Sequence, residues 1–242
     1  MNIIKNDPIW YDLQYRCDCF GKEQVDKIIL IQQFFVHSSR FRNTELKYVL
    51  KKNIECLKAN LIDEFIMLNE RKYTAEEMGI SEEDHKHVKQ IIIGHRLKFR
   101  DVIEHVQNEK LKGYIVFSNS DIFLDKSIRN VFKTSLKEGK CWYAQLRFEA
   151  YTKRLYGPNA HAQDTWIFHS NCRIRKPKCF NFILGKLGCD NIVAYELVKQ
   201  KIYVYNNPLL IQTWHLQKEN KRDYNINDRL PPPYLRIMPT LK

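Results

Sequence analysis

Residues 113–125 read Gly-Tyr-Ile-Val-Phe-Ser-Asn-Ser-Asp-Ile-Phe-Leu-Asp, and the fold turns on how that stretch is read. Gly113 to Phe117 is a short run dense in β-formers, apolar throughout and not alternating, which suits a strand covered on both faces. The chain then changes character at Ser118-Asn119-Ser120-Asp121, where it leaves that buried strand. Beyond it, Ile128, Val131, Phe132 and Leu136 recur at helical spacing, so a helix is expected there, started by Asp125 or Ser127 and closed by Gly139.

Working outward towards the N-terminus, three further runs read as buried strands: Lys27 to Phe35 (KIILIQQFF), Glu64 to Leu68 (EFIML) and Val88 to Ile93 (VKQIII). Leu46, Val49, Leu50, Ile54, Leu57 and Leu61 fall at three- and four-residue steps, predicting a helix capped by Asn43 or Thr44. Phe99 to Gln107 predicts a shorter helix, and the acidic stretch Glu76 to Asp84 a surface excursion. Towards the C-terminus, Cys141 to Phe148, Thr165 to Phe168, Ile202 to Tyr205 and Leu209 to Trp214 read as strands. Asn191 to Lys199 reads as a helix with Asp190 placed to cap it. From Gln217 the chain is polar and carries Pro231-Pro232-Pro233, which predicts an extended surface tail. Strands that are apolar throughout, interleaved with helices, predict an α/β fold with a mostly parallel central sheet between helices. One domain is expected over 1–242, with halves at 27–139 and 140–216 and a tail at 217–242.

The 242 residues are 44% apolar and 12% aromatic, enough to build a core and to exclude a disordered chain. No run approaches the ~20 apolar residues of a membrane span, and the opening MNIIKNDPIW lacks the pattern of a secretory signal. Lys and Arg number 40 against 28 Asp and Glu, a net charge of +12 that attracts phosphates. Seven scattered cysteines do not form a disulfide framework, so free thiols and a cytosolic setting are expected. Cys17-Asp18-Cys19 has the wrong spacing for zinc, and the histidines show no HExxH pattern.

In an open α/β sheet, ligands gather outside the carboxyl ends of the strands. His37, Ser38, Ser39, Arg40 and Arg42 follow the first strand, His95 and Arg96 the third. Asn119-Ser120-Asp121 follows the fourth, and the last ends at Trp214-His215. Asp125 is the better helix cap, which frees Asp121 for a hard divalent cation that shares its remaining positions with water and phosphate oxygen.

The segment Phe117 to Asp125 resembles the DxD segment of GT-A glycosyltransferases, with Asn119 in the place of the first Asp. The resemblance continues through Ala162-Gln163-Asp164-Thr165-Trp166-Ile167-Phe168 and Leu184-Gly185-Lys186-Leu187-Gly188-Cys189-Asp190-Asn191. Thr213-Trp214-His215, Arg222-Asp223-Tyr224 and Pro231 to Leu235 extend it. Together these are similar to small single-domain glycosyltransferase-like proteins of viral, bacterial and algal type. The resemblance implies a GT-A-like, Rossmann-like fold and transfer of a sugar from a nucleotide-sugar donor, a UDP-sugar first, to a hydroxyl on a glycan or other acceptor. It implies that Asp121 binds Mn²⁺ or Mg²⁺ bridging the donor phosphates, with His215 completing the metal site. Asn119, a neutral amide, and Ser120 lie beside it, and Arg40 and Arg96 hold the nucleotide. Asp190 sits where the family often has an acidic residue facing the acceptor.

This division of labour has a physical basis. Cleaving a sugar–phosphate bond builds negative charge on the departing diphosphate, which cations stabilise, and the acceptor hydroxyl needs a general base, for which Asp190 is the candidate. A simple N-cap explains Asp190 as well. Gln163, Asp164 and Trp166 are candidates for sugar or acceptor contact, though burial in the core explains Trp166 equally. The rival classes are a basic nucleic-acid-binding module, a non-catalytic nucleotide-sugar binder and a nucleotidyltransferase. Against the first, no helix-turn-helix, RRM or zinc-finger pattern occurs; the GxGxxG and P-loop patterns are missing too.

Overall fold

A computed structural model describes residues 26–157, 159–218 and 226–241. Seven strands form the central sheet: β1 (Ile28–Gln32), β2 (Glu64–Asn69), β3 (Val88–Ile92), β4 (Tyr114–Ser118), β6 (Cys141–Leu146), β9 (Gln163–His169) and β10 (Tyr203–Tyr205), in the spatial order β10-β6-β9-β4-β1-β2-β3. β1 runs parallel to β2 and β4, β2 to β3, and β10 to β6, while β9 is antiparallel to both its neighbours. A smaller sheet has the order β5-β11-β7-β8, from β5 (Ile122–Leu124), β7 (Phe148–Glu149), β8 (Arg154–Leu155) and β11 (Thr213–His215).

The two-residue period of the strands sends alternate apolar side chains to opposite faces, and each face has its own core. Ile29, Ile31, Phe117, Trp142 and Trp166 pack against α4 (Phe99–Asn108) and α5 (Cys189–Lys199). Ile28, Leu30, Val116 and Ile167 pack against α1 (Arg40–Lys58) and the 3₁₀ segment that follows β5. Gly113 sets the start of β4: its φ is +119°, and an added Cβ would lie 2.2 Å from the Lys27 carbonyl oxygen, to which the Tyr114 N–H donates at 2.7 Å. Only glycine lets the two backbones approach so closely.

Several expectations are corrected. α1 begins at Arg40 and not beyond Thr44, because Ser39 is the cap, accepting from the Arg42 N–H. Asn43 instead turns its amide back onto the backbone of His37. The helix expected over 126–139 is two 3₁₀ segments, Lys126–Lys133 and Ser135–Glu138, interrupted where Thr134 becomes extended; Asp125 and Gly139 do cap them. The acidic excursion folds as two single-turn helices, α2 (Ala75–Met78) and α3 (Glu82–Lys86), capped by Thr74 and Ser81. α5 is capped by Gly188 at φ +85°, so Asp190 lies within the first turn and is not the cap. The segment after 229 is extended as expected, but it is no loose surface tail. Leu230, Leu235 and Ile237 pack on the core, and the Leu230, Leu235 and Thr240 N–H groups donate to Leu187, Asn191 and Asn206. The five described cysteines are unpaired; Cys17, Cys19 and Arg222-Asp223-Tyr224 lie outside the described residues. No helix among the described residues is long and apolar enough to cross a membrane.

Candidate functional site

From β1 the chain moves to β2 and β3 on one side, then crosses to β4 on the other, making the β1/β4 pair a topological switch point. The two following loops diverge there and leave a crevice. A cleft of about 350 Å³ opens at this place. Phe35 and His37 after β1, Arg96 after β3 and Asn119-Ser120-Asp121 after β4 line it, and Arg147, Asp164, Lys186 and His215 close it.

The turn after β4 is fixed by its neighbours. Ser120 donates from Oγ to the Gln33 carbonyl at 2.6 Å. Asn119 donates from Nδ2 to Asp164 Oδ1 at 2.8 Å and from its backbone N–H to the Asp164 carbonyl at 3.1 Å. Asp121 follows, between the guanidinium of Arg42 and the imidazole of His215, whose Nε2 is 3.3 Å from Oδ2.

From Asp121 an ion chain of alternating sign runs through the cleft. His215 Nδ1 lies 3.1 Å from Glu149 Oε2, Arg147 Nε 2.9 Å from Glu149 Oε1, and Arg147 NH1 2.6 Å from Asp164 Oδ2. At the other end Arg42 pairs with Glu45 at 2.9 Å and donates to the Leu216 carbonyl. Alternation lets each desolvated charge face an opposite one, without which burial would be costly. It also shifts proton affinities. Burial alone would raise the carboxyl of Asp121, but His215 and Arg42 overcome it and hold it well below the carboxylate range. Burial would likewise lower His215, yet Asp121 and then Glu149 push it up to about 9, so the ring is a cation at neutral pH.

The structure brings together Asn119, Ser120, Asp121, Asp164, Arg96 and His215 at this cleft. It does not bring the rest. Arg40 is exposed at the start of α1 and does not line the cleft; Arg42, two residues on and therefore on another side of the helix, does. Trp166 is fully buried, edge-on to Phe99 and Trp142, and does not line the cleft. Gln163 is 1% exposed and also lies off the cleft. Asp190 is half-buried beside Asp164 but is not part of the lining, and Cys189 Sγ is 3.3 Å from its Oδ1. Burial raises the carboxyl of Asp190 well above its ordinary value, and the negative Asp164 raises it further.

The sequence reading places Arg42 among the basic residues after the first strand but gives it no role, and it takes Arg147 and Glu149, part of a charged stretch over 147–154 that could line an acceptor cleft, for a solvated loop. The signal was present: with Ser39 as cap, Arg42 falls at the third helical position, facing the turn after β4. Arg147 and Glu149 are two apart, so any strand there sets both on one face.

A divalent ion can be tested against these side chains. Asp121 Oδ1 is buried and has no hydrogen-bond partner. That is the kind of oxygen a hard cation takes when it is held by one or two protein groups and by substrate phosphates. A preformed cage is another matter: among the described residues no group of three or more His, Cys, Asp or Glu side chains is arranged to hold a metal ion.

No protein-family model matches the chain, and no curated protein matches it. Among solved structures it is similar to a galactosyltransferase, LgtC, in complex with donor and acceptor sugar analogues: 11% identity, TM-score 0.44, covering 78% of this chain and 86% of that one. It is similar to a cytidylyltransferase from Leptospira borgpetersenii at 16% identity and TM-score 0.43, covering 75% and 76%. A glycosyltransferase involved in glycosylation of the major capsid of PBCV-1 matches at 10% identity and TM-score 0.36, covering 78% and 92%.

Proposed function

We propose that the cleft binds a nucleotide sugar through its diphosphate and transfers the sugar to an acceptor hydroxyl. The observation that carries this reading is the crevice at the β1/β4 switch point, lined by Arg42, Arg96, Arg147, Lys186 and a protonated His215 around one deeply placed carboxylate, Asp121. Arg96 and Lys186 line the cleft outside the ion chain, and their charge opposes the charge that accumulates on a departing diphosphate, while Arg42 and Arg147 are already held between carboxylates. Arg96, whose guanidinium lies 5.3 Å from the centre of the Phe35 ring, stands at the end of the cleft suited to the nucleoside.

Mn²⁺ or Mg²⁺ fits the unpartnered Oδ1 of Asp121, with His215 as second ligand once its proton has gone; when bound, the ion adds charge stabilisation on the leaving phosphate. Asn119, tied to Asp164, contributes no charge. The base for the acceptor hydroxyl in this reading is Asp190, which sits beside Asp164 and does not itself line the cleft; burial, and then the negative Asp164, make its carboxylate a stronger base than an ordinary aspartate. A UDP-sugar is the first donor to try.

Thermal shift with UDP-, GDP- and CMP-sugars, each in EDTA and in Mn²⁺, tests the reading. A donor that binds the native state raises the melting temperature. The expected result is a rise with at least one sugar nucleotide, abolished in Asp121→Ala. No rise with any of them, together with a salt-sensitive response to oligonucleotides, refutes it in favour of a nucleic-acid module. Release of pyrophosphate when a nucleoside triphosphate and a sugar phosphate are supplied instead would mark nucleotidyl transfer.

A further inference from the structure

Two consecutive glutamines stand at the end of β1, Gln32 as its last residue and Gln33 directly after it. Ile28 to Ile31 are at most 1% exposed, and Gln32 and Gln33, at 2% and 6%, continue that run with amides. Strand alternation sends them to opposite faces. Neither is idle.

Gln32 Nε2 lies 2.9 Å from Ser118 Oγ, 2.9 Å from the Asn119 carbonyl and 2.8 Å from the Ile122 carbonyl. Its Oε1 accepts from Nδ2 of Asn53, a fully buried residue of α1, at 2.9 Å. Asn53 Nδ2 also reaches the Ile122 carbonyl at 3.0 Å, and its Oδ1 accepts the Leu124 N–H at 3.0 Å. The two amides thus grip the turn that carries Asn119, Ser120 and Asp121 from both ends. On the other face, Gln33 donates to the carbonyls of Leu68 and His95, both at 3.2 Å, and accepts the Leu97 N–H at 3.0 Å. It therefore grips the loop that carries Arg96.

We propose that Gln32, Gln33 and Asn53 are positioning residues, a buried amide clamp at the end of β1 that fixes the two walls of the diphosphate cleft in one geometry. The inference rests on the nucleotide-sugar reading of that cleft. Apolar side chains would fill the same volume, as they do in the rest of β1, without holding any loop backbone. A buried amide whose hydrogen bonds are satisfied favours a single arrangement. Loops at a binding cleft are otherwise the readiest part of a fold to wander.

The test combines hydrogen-exchange mass spectrometry with calorimetric binding of UDP and inorganic pyrophosphate, on the whole chain. Gln32→Met and Asn53→Leu keep volume and remove the amide; both are expected to speed exchange at residues 119–124 about tenfold, leaving β1, β2 and β4 protected, and to weaken pyrophosphate about tenfold. Gln33→Met is expected to move 95–97 instead. Exchange that rises uniformly through the sheet, stays unchanged at both loops, or rises locally with no loss of affinity overturns the proposal. If either larger change prevents folding, Asn53→Ser gives the same comparison. Wild-type protein that binds neither UDP nor pyrophosphate refutes the nucleotide-sugar reading by itself, while the exchange pattern still decides whether the amides hold the two loops.

Discussion

Replacing His215 with Gln should make the protein's stability less dependent on alkaline pH, and the size of the change follows from the ion chain. The imidazole rises from an ordinary 6.5 to about 9 in the folded state. A folded value above the unfolded one means that the stabilisation is complete below pH 6.5 and disappears as pH climbs through 9. Linkage over that interval gives about 2.5 kcal/mol at pH 7 and almost nothing at pH 10. The side chain is only 7% exposed, so solvent screens little of this. For a chain of this length each kcal/mol is worth roughly 2–4 °C, hence about 5–10 °C. Melting both proteins between pH 6 and 10 in EDTA should show a wild-type advantage that shrinks by that amount towards pH 10. Asp121 contributes no slope there, since its carboxyl titrates far lower. An advantage that stays constant with pH, or grows, would refute the idea that Asp121 and Glu149 hold a charged imidazole between them.

Other outcomes follow from single residues. Asp190→Asn should keep donor binding, seen as an unchanged thermal shift, and lose transfer; the wild-type rate should climb with pH through a value above the usual carboxylate range, because the base must first be deprotonated. Trp166→Ala should cost about 3–5 kcal/mol in denaturant unfolding without a specific effect on donor affinity, since the ring fills the core between Phe99 and Trp142. Gly113→Ala should strongly destabilise the protein, because the new methyl would collide with the Lys27 carbonyl; a melting temperature within a degree or two of wild type would contradict the close approach.

Much of the central sheet was legible because burial on both faces leaves a plain trace, uninterrupted apolar runs such as GYIVF and EFIML. The turn at Asn119-Ser120-Asp121 was legible too, as an abrupt polar break after such a run. Legibility failed where geometry depends on partners. Nothing local in Arg42 says that it faces Asp121, 79 positions away; its direction depends on which residue starts the helix. Arg147 and Glu149 read as a solvated charged stretch because two of their partners, Asp164 and His215, lie far along the chain. Trp166 carried a sugar-binding reading only because aromatic rings serve cores and carbohydrates alike. The 3₁₀ geometry after Asp125 was hidden because Ile128, Val131 and Leu136 line a tight helix as well as an α-helix.

The smaller sheet assembles its strands from 122–124, 148–149, 154–155 and 213–215. Its middle strand, β11, is synthesised last of the four and brings His215 with it. A nascent chain can therefore lay down β1 to β4 and much of the main core while Asp121 and Glu149 still lack the imidazole that links them. The ion chain through Asp121 and Glu149 closes only after residue 215 has been added.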